Sequence, residues 1–214
     1  MTSLLRRSLI AAALLVPALS FAQTPAPVAG KDYSVVKPAQ PTDNPGKIEV
    51  LEFFAYTCPH CMTYEPVMKA WKKTLPGDVE VKSIPVAFDE RGTPYVKIFY
   101  ALEALNKLDA LHTKVFDAVI NQRRRLEDPN AIADFMATNG IDRKQWLDAY
   151  NSFSVAGKTN RAAQTWKAYR IDGTPGNAVA GKYMTAPSMV GSREGATKVM
   201  DYLIAQERAA KGKK

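Results

Sequence analysis

Two cysteines with two residues between them sit where a strand-like run gives way to a helix-like one, and this junction restricts the fold more than any other part of the chain. Lys47 to Ala55 reads as a buried strand, its IEVLEFFA dense in β-branched and aromatic residues. Cys58-Pro59-His60-Cys61 follows, and then Tyr64, Val67, Met68, Trp71 and Leu75 recur at helical spacing. Pro59 suits the first helical position, Pro66 should kink the helix, and Pro76-Gly77 closes it. Val79 to Ala87 is a second strand, so strand, helix and strand open an α/β layer.

From Gly92 the period becomes helical and stays so. Thr93-Pro94 resembles an N-cap followed by proline, ahead of Tyr95, Ile98, Phe99 and Leu102. Asp128-Pro129 repeats the device before Ile132, Phe135 and Met136, and Gly140 closes that helix. Trp146, Leu147 and Tyr150 mark a short helix, and a longer one runs from Val155 to Tyr169 with Thr159, Ala162, Ala163 and Trp166 inward. Strand signals return at Asn177 to Ala180 and Lys182 to Thr185, a hairpin about Gly181. A last helix starts near Ser192, with Ala196, Val199, Met200, Leu203 and Ile204 on one face, and the basic tail from Lys211 frays. The expected segments are 1–22 as a signal peptide and 23–46 as a proline-rich lead-in with a short strand at Tyr33 to Val36. The first α/β part is 47–90, the helical insertion 91–163 and the second α/β part 164–214.

Met1 to Ala22 has the layout of a secretory signal. Arg6 and Arg7 precede an apolar run from Leu9 to Leu19, and Ser20-Phe21-Ala22 is a small-x-small cleavage site. The run is broken by Pro17 and falls short of the ~18–20 residues of a spanning helix, which argues against an uncleaved anchor. Cleavage near Ala22 leaves 27 basic and 21 acidic residues, lowering the net charge from +8 to +6. Export leaves little nucleic acid to meet that charge. Arg123-Arg124-Arg125 lacks interleaved aromatics and reads as a solvated helix end, with an anionic membrane or substrate as the sharper alternative. Two cysteines do not make a disulfide framework in a chain long enough to build its own core.

A C-x-x-C at a helix start carries redox chemistry. The unpaired N–H groups and positive dipole end stabilise a thiolate on Cys58, ready to attack a disulfide or to leave from one. Cys61, about one turn on and inward, can close the disulfide and release a partner. His60 adds a second group that favours the anion, in the reduced form only. Stabilising the reduced form makes the disulfide unstable, so the pair should oxidise other thiols. The competing uses are weaker. A structural bridge over so short a loop constrains the unfolded chain little. Haem attachment needs a histidine where Met62 stands, and a metal would need distant ligands when His112 is the sole histidine outside the motif.

Gly173-Thr174-Pro175 precedes the hairpin. Pro175 is either an ordinary turn proline or one in a cis bond that packs on the cysteines, leaving the Thr174 backbone to pair with an extended peptide. Glu52 shares a strand face with Ile48, Val50 and Phe54, and unless it lies at an exposed strand end it needs a buried partner. Lys82 on the neighbouring strand is the candidate, and such a pair beneath Cys61 would manage its proton.

LEFFAYTCPHC, the helical insertion, GTP before a hairpin and the AGKY turn together resemble the DsbA family of periplasmic thiol:disulfide oxidases, over about Lys31 to Ala205. The resemblance implies an α/β thioredoxin fold, a central mixed sheet flanked by helices, with an inserted all-helical domain. It implies Cys58 as the exposed reactive cysteine, Cys61 as its buried disulfide partner, Pro59 and His60 between them, and Pro175 as a cis-proline after Thr174. Glu52, Glu65 and Lys82 fall where the family carries charged groups near the buried cysteine. The disulfide itself is the redox group, with no further cofactor and no metal. Partners would be reduced secreted proteins and a DsbB-type quinone-linked membrane protein, with the enzyme a periplasmic monomer. The alternatives are a reductase or isomerase, although isomerases of this fold add a dimerisation domain for which Gln23 to Gly46 is too short, or a non-catalytic holdase.

Overall fold

The computed structural model describes residues 25–212; the expected signal peptide and the end of the basic tail lie outside the described residues. Strands β1 (Ser34–Val35), β2 (Ile48–Phe54), β3 (Val79–Pro85), β4 (Gly176–Val179) and β5 (Tyr183–Thr185) form one mixed sheet in the order β1-β5-β4-β2-β3. Only β2 and β3 run parallel, joined across helix α1 (Pro59–Lys72). All seven residues of β2 are buried, which accounts for its unbroken apolar run. β3 stops at Pro85, short of the expected Ala87, where its partner β2 ends at Phe54.

The two faces of β2 enter different cores. Ile48 and Val50 pack with Tyr64, Met68 and Trp71 of α1 and with Val199, Met200 and Leu203 of the C-terminal helix α8 (Arg193–Lys211). Leu51 and Phe53 face the other way, onto Tyr169, Ile171 and Ala178. Between β3 and β4 come helices α2 (Thr93–Ala104), α3 (Leu108–Ile120), α4 (Pro129–Thr138), α5 (Arg143–Tyr150) and α6 (Phe153–Ala168). Their core includes Ile98, Leu102, Phe116, Ile132 and Trp146, and it extends to Phe54, Tyr56 and Cys61. A short α7 (Pro187–Val190) precedes α8.

Several termini differ from the sequence reading for local reasons. Thr93 is the first residue of α2 rather than its cap, because a 3-10 turn at Glu90–Gly92 runs straight into it and the Asp89 side chain takes the Gly92 N–H. α3 is a separate helix, divided from α2 by Asn106 at φ 55, a break that no proline or glycine announces. Asp128 caps α4 as expected, accepting from the N–H groups of Asn130 and Ala131. Ser152 caps α6, which therefore starts at Phe153; this helix runs through residue 163, so the expected domain boundary falls inside it. Along α6, Val155 and Ala162 are buried, while Thr159, Ala163 and Trp166 are only half-buried. Arg123 to Arg125 lie exposed in the turn between α3 and α4, with Arg124 over the Phe135 ring.

Candidate active site

Cys58 is the N-cap of α1 in an extended conformation (φ −99°, ψ 110°), and Pro59 occupies the first helical turn. Its Sγ accepts a hydrogen bond from the Cys61 N–H at 3.2 Å, which places the sulfur on the unpaired donors and positive end of the helix. Both thiols are free; Cys58 is half-buried and Cys61 is 3% exposed. A hydrogen bond from the Cys61 thiol lowers the Cys58 pKa most; burial opposes it, and the Thr174 side chain with the Cys61 and His60 backbone brings it down to about 5. Burial pushes the Cys61 thiol the other way, and sharing its proton with Cys58 pushes it further. One thiol is thus disposed to ionise and its neighbour to hold a proton. His60 is exposed beside them, on the wall of the groove described next.

The Thr174–Pro175 peptide bond is cis, and a second cis bond at Lys37–Pro38 has no sequence signal beyond the proline itself. β4 begins only at Gly176, so Thr174 stands outside the ladder, and its carbonyl accepts from the Cys58 thiol at 3.3 Å. Residues 116 positions apart therefore meet. Beside them lies a groove of about 780 Å³ whose walls include His60, Thr174, Pro175, Met184, Pro187 and Met189.

The charged residues are arranged differently from the expectation. Glu52 is 5% exposed and pairs with Lys72 of α1 at 2.7 Å, with the Ser83 hydroxyl donating to the same oxygen at 2.9 Å. Lys82 does not reach it. In the parallel register Lys82 lies beside Leu51 and Ser83 beside Glu52, so alternation turns Lys82 to the opposite face, where it pairs with Glu49 at 2.8 Å and Asp43 at 2.9 Å. Burial lowers the Lys82 pKa and those carboxylates more than restore it. Lys82 is accordingly withdrawn from the α1 face that carries Cys61.

Glu65, one turn beyond Cys61, lies 3.6 Å from Nε2 of His112 in α3. Burial raises its carboxyl pKa, but His112, Lys72 and Lys69 together hold it below the ordinary carboxylate value. His112 Nδ1 is bonded to the buried Tyr56 hydroxyl at 2.7 Å, two residues before Cys58. The lone histidine outside the motif thus joins the helical block to both flanks of the cysteines. Tyr56, Tyr64, Lys72, Ser83 and Asn177 were not singled out from the sequence for the site. Only the nearness of Tyr56 to Cys58 could have flagged one of them, since the others meet through tertiary register. Among the described residues no group of three or more His, Cys, Asp or Glu is placed to hold a metal.

Residues 49–194 match the family described as the DSBA-like thioredoxin domain. The chain is 45% identical over 201 residues to a thiol:disulfide interchange protein DsbA of Bordetella parapertussis, covering 94% of this chain and 96% of the relative. A protein of the same name from Pseudomonas aeruginosa is 37% identical over 207 residues, covering 95% and 98%. The crystal structure of Pseudomonas aeruginosa DsbA superposes with a TM-score of 0.84 at 37% identity, over 87% of this chain and 97% of that one.

Proposed function

Since this chain belongs to the DsbA-like thioredoxin family and is a thiol:disulfide oxidase, we propose that Cys58 and Cys61 are its exchanging pair, donating their disulfide to exported proteins. A substrate thiolate attacks Cys58 Sγ of the disulfide. The Cys58–Cys61 bond breaks, a substrate–Cys58 bond forms, and Cys61 leaves and takes up a proton, as its buried position favours. A second substrate thiolate attacks the substrate sulfur, Cys58 departs as a thiolate, and two electrons have passed from substrate to enzyme.

The observation that carries this reading is the Cys58 sulfur on the α1 terminus, 3.2 Å from the Cys61 N–H. A leaving group stabilised this way makes the mixed disulfide labile and the reduced state favourable. Pro59 starts the helix, His60 adds a group beside the anion, and Thr174 and Pro175 present the groove edge to an extended peptide. Glu52 with Lys72, and Glu65 with His112, hold charge around the inner end of the pair. The redox group is the disulfide alone. The protein acts in the periplasm as a monomer after cleavage near Ala22, divided into an α/β unit and a helical unit, and a DsbB-type membrane partner re-oxidises it.

The test is equilibration with glutathione buffers, with thiol state read by trapping. An oxidase gives a potential well above those of cytosolic reductants. A strongly reducing value would move the protein to a reductase or isomerase role, and full biological activity of Cys58→Ala would make it a holdase.

A further inference from the structure

The Tyr64 hydroxyl donates to Asn177 Oδ1 at 3.1 Å, and the two residues are 1% and 0% exposed. Asn177 is the second residue of β4; it stands opposite Glu52 on β2, which in turn stands opposite Ser83 on β3. A polar row therefore crosses three strands on the face where Ile48, Val50 and Val179 form an apolar core. Packing alone does not call for it, because an apolar pair of similar shape fills such a space at no desolvation cost.

Its position suggests another use. Helix α1 meets the β4 segment through two side-chain bonds, Cys58 Sγ to the Thr174 carbonyl and Tyr64 to Asn177. Along the helix, residues 58 and 64 are about 9 Å apart. Thr174 lies three residues before Asn177, outside the ladder and across a cis peptide bond. The bonds are two separate rungs between these segments, and two rungs fix an angle where one leaves a pivot. The first exists only while Cys58 carries its proton, since a thiolate, a mixed disulfide and the Cys58–Cys61 disulfide have no S–H to give. The second involves neither sulfur, so the exchange chemistry itself does not remove it. Pro66 also lacks the N–H that would bond the Met62 carbonyl, so the turn bearing Cys58 to Glu65 is tied less firmly to the rest of α1.

We propose that Tyr64 and Asn177 are positioning residues of the redox centre, whose buried hydrogen bond keeps the Cys58–Cys61 turn in register with the Thr174–Pro175 edge throughout disulfide exchange. The inference rests on the oxidase reading. Without the tie the N–H groups of the first turn drift from the Cys58 sulfur, the thiolate loses stabilisation, and the disulfide becomes less oxidising.

The experiment compares wild type, Tyr64→Phe, Asn177→Leu and the double variant by glutathione equilibrium, pH titration of the thiolate absorbance, and denaturant unfolding. Each single variant should shift the equilibrium toward the oxidised protein by about threefold or more, the order of one hydrogen bond's net worth, and raise the thiolate midpoint. The double variant leaves no unsatisfied group, so it should recover stability while keeping the shifted equilibrium. Equilibria and midpoints unchanged from wild type, or a double variant that restores both stability and equilibrium, would overturn the proposal. A reducing wild-type value would overturn the oxidase reading, while the variant-to-wild-type ratio still decides the tie.

Discussion

Cys58 ionises at about 5 in the folded dithiol, against roughly 8.5 in an unfolded chain. A depressed pKa contributes stability that is complete above the unfolded value and fades as pH falls through the folded one. Cys61, raised by burial, acts only above the unfolded value, so pH 5 to 8 isolates Cys58. The oxidised protein has neither titration. The melting temperature of the reduced form should therefore rise relative to that of the oxidised form from pH 5 to pH 8; a constant gap would show that no thiolate is stabilised. A second residue carries its own prediction. Lys72→Met strands the Glu52 carboxylate in the sheet, and because Lys72 is 31% exposed the cost should sit below that of a fully buried pair, about 2–3 kcal/mol by denaturant unfolding. Adding Glu52→Gln should recover most of it, and no recovery would mean that Lys72 acts through packing. The cysteines were legible because their chemistry lies in four adjacent residues. Lys72 was not, since its pairing depends on which face of β2 meets α1 and on the register that turns Lys82 away.

Elements were legible wherever a period and a local stop signal coincided. β2, α1, the β4–β5 hairpin and α8 all lie within a few residues of their expected places. The break between α2 and α3 escaped because Asn106 takes a left-handed conformation that many asparagines elsewhere do not. Glycines show how tertiary approach changes the weight of one backbone angle. Gly181 and Gly191 have φ +70° and +76°. Around Gly191 a side chain would meet nothing within 4 Å, whereas at Gly181 it would overlap the backbone of Gln40, whose N–H donates to the Gly181 carbonyl at 2.8 Å. Gly191→Ala should cost about 1 kcal/mol, the strain of the angle alone. Gly181→Ala should cost at least ~3 kcal/mol by adding backbone displacement at the hairpin. Equal losses in thermal or denaturant unfolding would mean that the Gln40 segment yields freely.

At the scale of the molecule, the order of strands and helices foretold an insertion but not how it docks. Phe54 ends a sheet strand and Tyr56 follows it, yet both belong to the helical core, where the His112 ring packs at 5.1 and 5.2 Å from theirs. A strand face pattern cannot reveal this, because alternation says only that Phe54 points inward and not which core receives it. The docking makes the cysteine turn a shared boundary: Cys61 lies in the helical cluster, while Tyr64, one turn later, lies in the core beneath α8. Opening the helical block would then expose the apolar Phe54 and Tyr56 rings to water and break the Tyr56–His112 bond, a loss borne by both parts, so the two should unfold together. Trp71, bonded to Asp201 of α8 at 2.7 Å, reports on the sheet core, and Trp146 of α5 reports on the helical core. Replacing the other tryptophans by phenylalanine in each case gives one fluorescent probe per part. The two denaturant midpoints should coincide within about 0.2 M, with matching slopes. A midpoint for Trp146 well below that for Trp71 would mean that the helical block opens alone, and that α1 by itself holds the Cys58–Cys61 geometry.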